Sequence, residues 1–257
     1  MARYNLKGRV IWLTGASSGI GEGLAIRLAQ HNQVFISARS EDALNNLSKQ
    51  HKNLHSAAAD VTDLGQLTAV CRDIEAQFGR LDMLLANAGT CEYLDVKHFD
   101  SGCAQRMMDI NYMGFVKSLE AALPLLRRSS HPYIAAVSSS SIFAGLPRAQ
   151  CYSASKAAIT QFMECMAADL RSEGFTLSTI HPGFVDTPLT KHNDFPMPML
   201  VSTNKAVSHI IKGLERTKYN IEFPKTLSFL LKLIKFTPPF LRHSITGSMS
   251  RNPAHEH

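Results

Sequence analysis

Tyr152-Ser153-Ala154-Ser155-Lys156 sets a phenol and an ammonium four residues apart. Positions i and i+4 share one face of a helix, so the two groups can act together. A phenol titrates near 10 in water, too high for easy proton exchange at neutral pH. A lysine cation beside it favours the phenolate and draws that value toward the working range. The pair is therefore a candidate proton donor and acceptor for a carbonyl or alcohol oxygen. Upstream, Ser138-Ser139-Ser140-Ser141 follows a short apolar run and offers hydroxyls that could hydrogen-bond an oxygen where charge develops. The plainer readings are an exposed helix face and a serine turn satisfying strand-end backbone groups. Where the fold puts these residues decides between them.

Apolar runs at 10–13, 34–36, 81–85, 133–137 and 177–180 predict buried parallel strands. Helix-length segments lie between and around them, at roughly 19–31, 41–51, 63–79, 97–128, 152–173 and 203–217. Strict alternation predicts an α/β fold, a Rossmann-type doubly wound parallel sheet of about seven strands with helices on both faces. No repeat or linker divides the 257 residues, which suits one domain with a core at about 6–223 and a C-terminal extension at 224–257. Ligands in such sheets bind beyond the carboxyl ends of the strands.

The first of those ends reads Thr14-Gly15-Ala16-Ser17-Ser18-Gly19-Ile20-Gly21 and runs straight into a helix. Glycines let backbone turn tightly and approach a pyrophosphate, whose charge a helix N-terminus stabilises. The spacing G-x-x-x-G-x-G differs from the G-x-G-x-x-G dinucleotide fingerprint. It resembles the cofactor motif of the short-chain dehydrogenase/reductase family, and later motifs extend the match in order over about 6–223.

That resemblance implies an oxidoreductase moving hydride between a nicotinamide cofactor and a carbonyl or secondary alcohol. It implies cofactor contacts from Gly15, Ser17, Ser18, Gly19, Ile20 and Gly21. Asp60-Val61 resembles the pair at the adenine. Asn87-Ala88-Gly89 resembles the N-A-G turn beside the cofactor, with Ala86 where the family usually has a second Asn. Pro182-Gly183-Phe184-Val185-Asp186-Thr187 resembles the P-G-x-V-x-T segment, with Pro182, Gly183, Val185 and Thr187 at the nicotinamide. Ser139, thirteen residues before Tyr152, takes the family's serine position. Asn111 takes that of a helical Asn holding a kink and a water beside the lysine. The implied catalytic set is Asn111, Ser139, Tyr152 and Lys156, with Tyr152 and Lys156 also touching cofactor.

The second strand end, Ser37-Ala38-Arg39-Ser40, selects the cofactor. An acid there would bind the ribose 2′-hydroxyl of NAD; Arg39 suits the 2′-phosphate of NADP. NADP(H) is expected over NAD(H), although Ser18 stands where many NADP-using relatives carry a second cation.

Composition narrows the rest. The chain is 45% hydrophobic and 19% charged, without the 18 or more consecutive apolar residues of a membrane span or an apolar signal core at its start. Five irregularly spaced cysteines read as reduced thiols, and a cytoplasmic location is expected. Neither a zinc spacing nor a metal pair at His51 and His55 is expected, because the intervening residues leave a helix. No G-x-S-x-G elbow anchors a serine hydrolase. No basic stripe with aromatics suggests nucleic acid.

A nucleotide-binding regulator would need neither Tyr152 nor Lys156. A sugar epimerase or dehydratase usually needs a separate substrate domain. A small carbonyl or alcohol is the expected partner, and the family implies a homodimer or homotetramer.

The net charge of +6 lies wholly in residues 205–257, nine Lys/Arg against three Asp/Glu. There, 224–236 predicts a helix with Lys225, Ser228, Lys232 and Lys235 as one polar stripe and apolar residues elsewhere. Such a surface suits docking over the substrate cleft, a partner subunit, or peripheral contact of 224–245 with an anionic membrane. Each of these coverings predicts a hydrophobic pocket mouth and bulky apolar, lipid-, steroid- or acyl-like substrates.

Overall fold

The computed structural model describes residues 3–249. The chain runs β1 (Val10–Thr14), α1 (Gly19–Ala29), β2 (Gln33–Ser37), α2 (Glu41–Gln50), β3 (Leu54–Ser56), α3 (Leu64–Phe78) and β4 (Met83–Ala86). It continues through α4 (Ser101–Met107), α5 (Gly114–Leu126), β5 (Tyr133–Val137), α6 (Gln150–Asp169), β6 (Thr176–Pro182) and β7 (Val185–Asp186). Last come β8 (Val201–Ser202), α7 (Thr203–Glu215), β9 (Asn220–Phe223), α8 (Lys225–Phe236) and α9 (Pro239–Gly247). Seven strands form one parallel sheet in the order β3-β2-β1-β4-β5-β6-β9; β7 pairs only with β8. The winding direction reverses between β1 and β4, which opens a ligand crevice at their carboxyl ends.

The strands read as continuous apolar runs because both faces are covered. Ile11 and Leu13 meet Leu24 and Leu28 of α1, Leu44 of α2 and Ile210 of α7. Val10 and Trp12, one residue out of phase, meet Leu67 and Ile74 of α3, Leu119 of α5 and Met163 of α6. Each such side chain contributes about 1.5–3 kcal/mol on burial. Helix starts follow their caps: Ser40 accepts from the Ala43 amide and Asp63 from that of Gln66. Gly79, at φ 68°, ends α3.

The structure corrects three expectations. First, 97–128 is not one helix. Asp95 and Asp100 each cap a separate start, giving a 3-10 turn at Val96–His98 and then α4. A π turn, Met108–Met113, separates α4 from α5 and contains Asn111, so the kink the resemblance implied there is a widened helical turn. Second, β9 and α9 were not foreseen. The four residues of β9 become a strand only by pairing with β6, and Pro239, just after α8 ends, occupies the start of α9.

Third, the α8 stripe faces water only at its ends, Lys225 and Lys235. Ser228 is 1% exposed, and Lys232 reaches the Glu222 carboxylate and lies 4.5 Å above the Phe143 ring. That anchoring turns Leu227, Leu231 and Ile234 onto Phe143, Ala144 and Phe184. Phe229, Leu230, Leu233 and Phe236 are left exposed. Residues 250–257 of the extension lie outside the described residues. Among the described residues, no helix is long and apolar enough to cross a membrane.

Candidate active site

The first loop leaves β1 with Gly15 at φ +68°, a backbone shape that residues with a Cβ rarely adopt. Gly21 then passes so close that a Cβ there would sit 2.0 Å from the Gly15 carbonyl oxygen. Thr14 Oγ1 accepts the amides of Asn87 (3.2 Å) and Ala88 (3.1 Å), while Asn87 Nδ2 donates to the Gly15 carbonyl at 2.9 Å. The loops after β1 and β4 are thus locked to one another. The Ser18 side chain caps nothing, so the first amides of α1 remain available to an anion. This arrangement fits a pyrophosphate.

A cavity of about 840 Å³ extends from this loop along the carboxyl ends of the strands. It is lined by Gly15 and residues 17–21, Arg39, Asp60, Val61, Asn87, Ala88, Gly89, Ser139, Tyr152, Lys156, Pro182, Gly183, Val185 and Thr187. All the expected cofactor residues therefore share one space. Arg39 is exposed at its edge and forms no ion pair with a described residue.

At the inner end, Ser139 follows β5, and its Oγ accepts the Ser141 amide at 3.1 Å. Its hydroxyl also lies near that of Tyr152 and favours the phenolate. Tyr152 and Lys156 lie in the opening turns of α6. Lys156 is 3% exposed, and its Nζ donates to the Val137 carbonyl at 2.9 Å and lies 6.0 Å from the Tyr152 ring centre. Gly89 brings backbone onto this ammonium: a Cβ there would lie 3.0 Å from Lys156 Nζ and 3.0 Å from Asn111 Oδ1.

Asn111 does not line the cavity. It is 1% exposed and stands behind it, accepting the Thr90 amide (2.8 Å) and donating to the Thr90 carbonyl (3.0 Å) and Ser155 Oγ (2.9 Å). It ties the loop after β4 to α6. A π turn carries it there because an ordinary helical turn would aim it elsewhere.

The protein's own groups do not draw the phenol toward neutrality. Burial, helped by the nearby Cys91, pushes Tyr152 up to about 12, and the neighbouring Ser139 hydroxyl opposes it. Burial lowers Lys156 to about 8. Both side chains are packed deep at the inner end of the cavity, and desolvation disfavours each charged form. At neutral pH Tyr152 is a protonated donor.

Sequence reasoning missed the residues on the substrate side. Cys91 lies close enough to Tyr152 and Lys156 to act on both electrostatically, and burial raises its thiol. Tyr93 stacks edge-on with Phe195 at 5.6 Å, Phe195 meets Phe184 at 5.9 Å, and Tyr93 donates to Asn193 at 2.7 Å. Only Cys91 had a signal, its position after the N-A-G turn. Thr14 stood in the glycine motif but was not singled out, although it clamps two loops.

Comparison with known proteins agrees with this geometry. The short chain dehydrogenase family model matches residues 9–196. An uncharacterized oxidoreductase of Myxococcus xanthus is 34% identical over 235 residues, covering 90% of this chain and 93% of its own. The 11-beta-hydroxysteroid dehydrogenase A of Sesamum indicum is 36% identical over 195 residues, 73% of this chain and 55% of its own. The crystal structure of gox2181 superposes with a TM-score of 0.78 at 22% identity, covering 86% of this chain and 96% of that one, which supports the fold. With a family match spanning the glycine cradle and the serine, tyrosine and lysine at the strand ends, this chain belongs to the short-chain dehydrogenases, oxidoreductases that act on CH–OH groups with a nicotinamide cofactor.

Proposed function

We propose that the chain interconverts a carbonyl and a secondary alcohol on bulky apolar molecules, with NADP(H) as its nicotinamide cofactor. The observation that carries this reading is the protonated Tyr152 hydroxyl beside Ser139 at the inner end of the cavity that begins at the glycine cradle. The bound cofactor supplies the hydride in reduction and takes it up in oxidation. Ser139 Oγ holds the reacting oxygen, and Tyr152 gives that oxygen its proton in reduction or removes it in oxidation. Lys156, charged at neutral pH and tied to Val137 beside Gly89, would hold the cofactor's ribose and favours the phenolate as it forms. Asn111 positions this end of α6 through Ser155 and Thr90.

The unpaired guanidinium of Arg39, at the place where an acid would select NAD, supports NADP(H). The cluster of Tyr93, Phe184 and Phe195 beside the phenol supports an apolar substrate. So does the steroid named for the Sesamum indicum relative. The test is oxidation of NADPH and of NADH against carbonyls from steroid ketones and long aldehydes to small sugars. NADPH and the apolar carbonyls are expected to be preferred; turnover of sugars alone would overturn the substrate class. Arg39→Ala should weaken NADPH about ten- to a hundredfold, the value of a charge-assisted hydrogen bond, and leave NADH nearly unchanged. Equal weakening of both cofactors would remove Arg39 from the site.

A further inference from the structure

A second cavity, of about 500 Å³, lies away from the cofactor cradle between α7, β9 and α8. Lys212 of α7, Arg216 just after it, Lys218 before β9, and Lys225 and Lys232 of α8 surround it. Glu222 satisfies Lys232. The other four cations are exposed and form no ion pair with a described residue. Four uncompensated cations around one concavity create a local positive potential that favours an anion.

Phe229 lines the same cavity and also begins the exposed apolar side of α8. Leu233 and Phe236 follow it at spacings of four and three, and Leu230 flanks them. Phe240 continues the surface onto α9. Phe236 is 85% exposed and Phe240 77%. Large apolar side chains clustered at a surface mark an interface. The residues at 205–249 hold eight cationic against two acidic side chains.

We propose that this face docks on an anionic lipid bilayer. The aromatic and leucine side chains of α8 and α9 enter the acyl boundary, and the basic cavity receives a headgroup phosphate. Charge decides the occupant. A second copy related by a two-fold axis would bring the unpaired cations of both chains together, and facing like charges oppose association. An anionic bilayer meets both halves of the surface, apolar and cationic, as it does for basic amphipathic helices generally. The docking is independent of the substrate: it rests on α7, α8 and α9, none of which supplies the proton-transfer residues.

The test is co-sedimentation of the full chain with vesicles of phosphatidylcholine alone and of phosphatidylcholine with phosphatidylglycerol. Sedimentation with the anionic vesicles only, reversed by salt, is expected. Lys212→Gln/Lys218→Gln should weaken it by about fivefold per cation. Phe229→Ser/Phe236→Ser should abolish it. Thermal unfolding establishes that both variants are folded. Four results overturn the proposal: no binding to anionic vesicles, equal binding to neutral ones, unchanged binding by the folded variants, or light scattering in which the aromatic variant splits a self-association.

Discussion

Burial holds the Tyr152 phenol at about 12 and the Lys156 ammonium at about 8, so at neutral pH one keeps its proton and the other is a cation held at a cost. Tyr152→Phe deletes the donor hydroxyl without opening a sizeable void. Turnover should fall about 10²- to 10⁴-fold, the usual contribution of a positioned acid or base, with melting temperature and cofactor affinity nearly kept. Undiminished turnover would remove Tyr152 from the chemistry.

Lys156→Met tests the cost of the cation. Unfolded lysine titrates near 10.4. Below pH 8 both states are protonated, and the folded state bears the whole penalty of the buried charge. Between 8 and about 10.4 the unfolded state binds more protons, so stability rises with pH and the penalty fades. The substitution should therefore stabilise the protein at pH 7 by on the order of 1–3 kcal/mol while abolishing turnover. The gain should shrink toward pH 10 in urea unfolding. A variant less stable than the parent at pH 7 would show that the lost bond to Val137 outweighs desolvation.

Elements position these groups through contacts that periodicity does not record. The loops after β1 and β4 are one unit because Thr14, Asn87 and Gly15 hydrogen-bond across 72 to 74 residues. Gly21→Ala forces a methyl onto the Gly15 carbonyl oxygen, so the loop must shift. The expected cost is about 1–3 kcal/mol, several degrees in melting temperature, with a loss of dinucleotide affinity. Unchanged melting and cofactor titration would show that the loop yields freely. The π turn works in the same way. It widens the helix between α4 and α5 so that Asn111 reaches Thr90 and Ser155 together.

At the scale of the whole molecule, α5 and α6 keep an apolar surface beyond what the sheet covers. Tyr112 and Phe162 are half-buried, with ring centres 6.1 Å apart, and Val116 and Met166 lie partly open beside them. Closed two-fold assemblies are the common way to cover such a surface. A homodimer or homotetramer is expected in light scattering at micromolar concentration; a monomer would overturn it. The edge of the sheet at β9 carries Lys212 of α7 and the apolar side of α8, a different surface with a different charge.

The sequence by itself determined the strand and helix alternation, the glycine turn at the first strand end and the Tyr152–Lys156 spacing. These are local signals: burial on both faces writes an apolar run, a tight turn demands glycine, and four residues make one helical turn. Only the tertiary structure decided which cluster of aromatics stands beside Tyr152, because Tyr93, Phe184 and Phe195 come from separate loops and each is unremarkable in its own context. It also decided the direction of the Tyr152 shift, since desolvation depends on everything packed around the hydroxyl and not on one lysine four residues away. And it rotated α8 so that the middle of its polar stripe is covered: Ser228 is buried and Lys232 is anchored against Glu222 and Phe143. Helical periodicity says which residues share a face, but the charges and rings waiting on the neighbouring elements choose which face is buried.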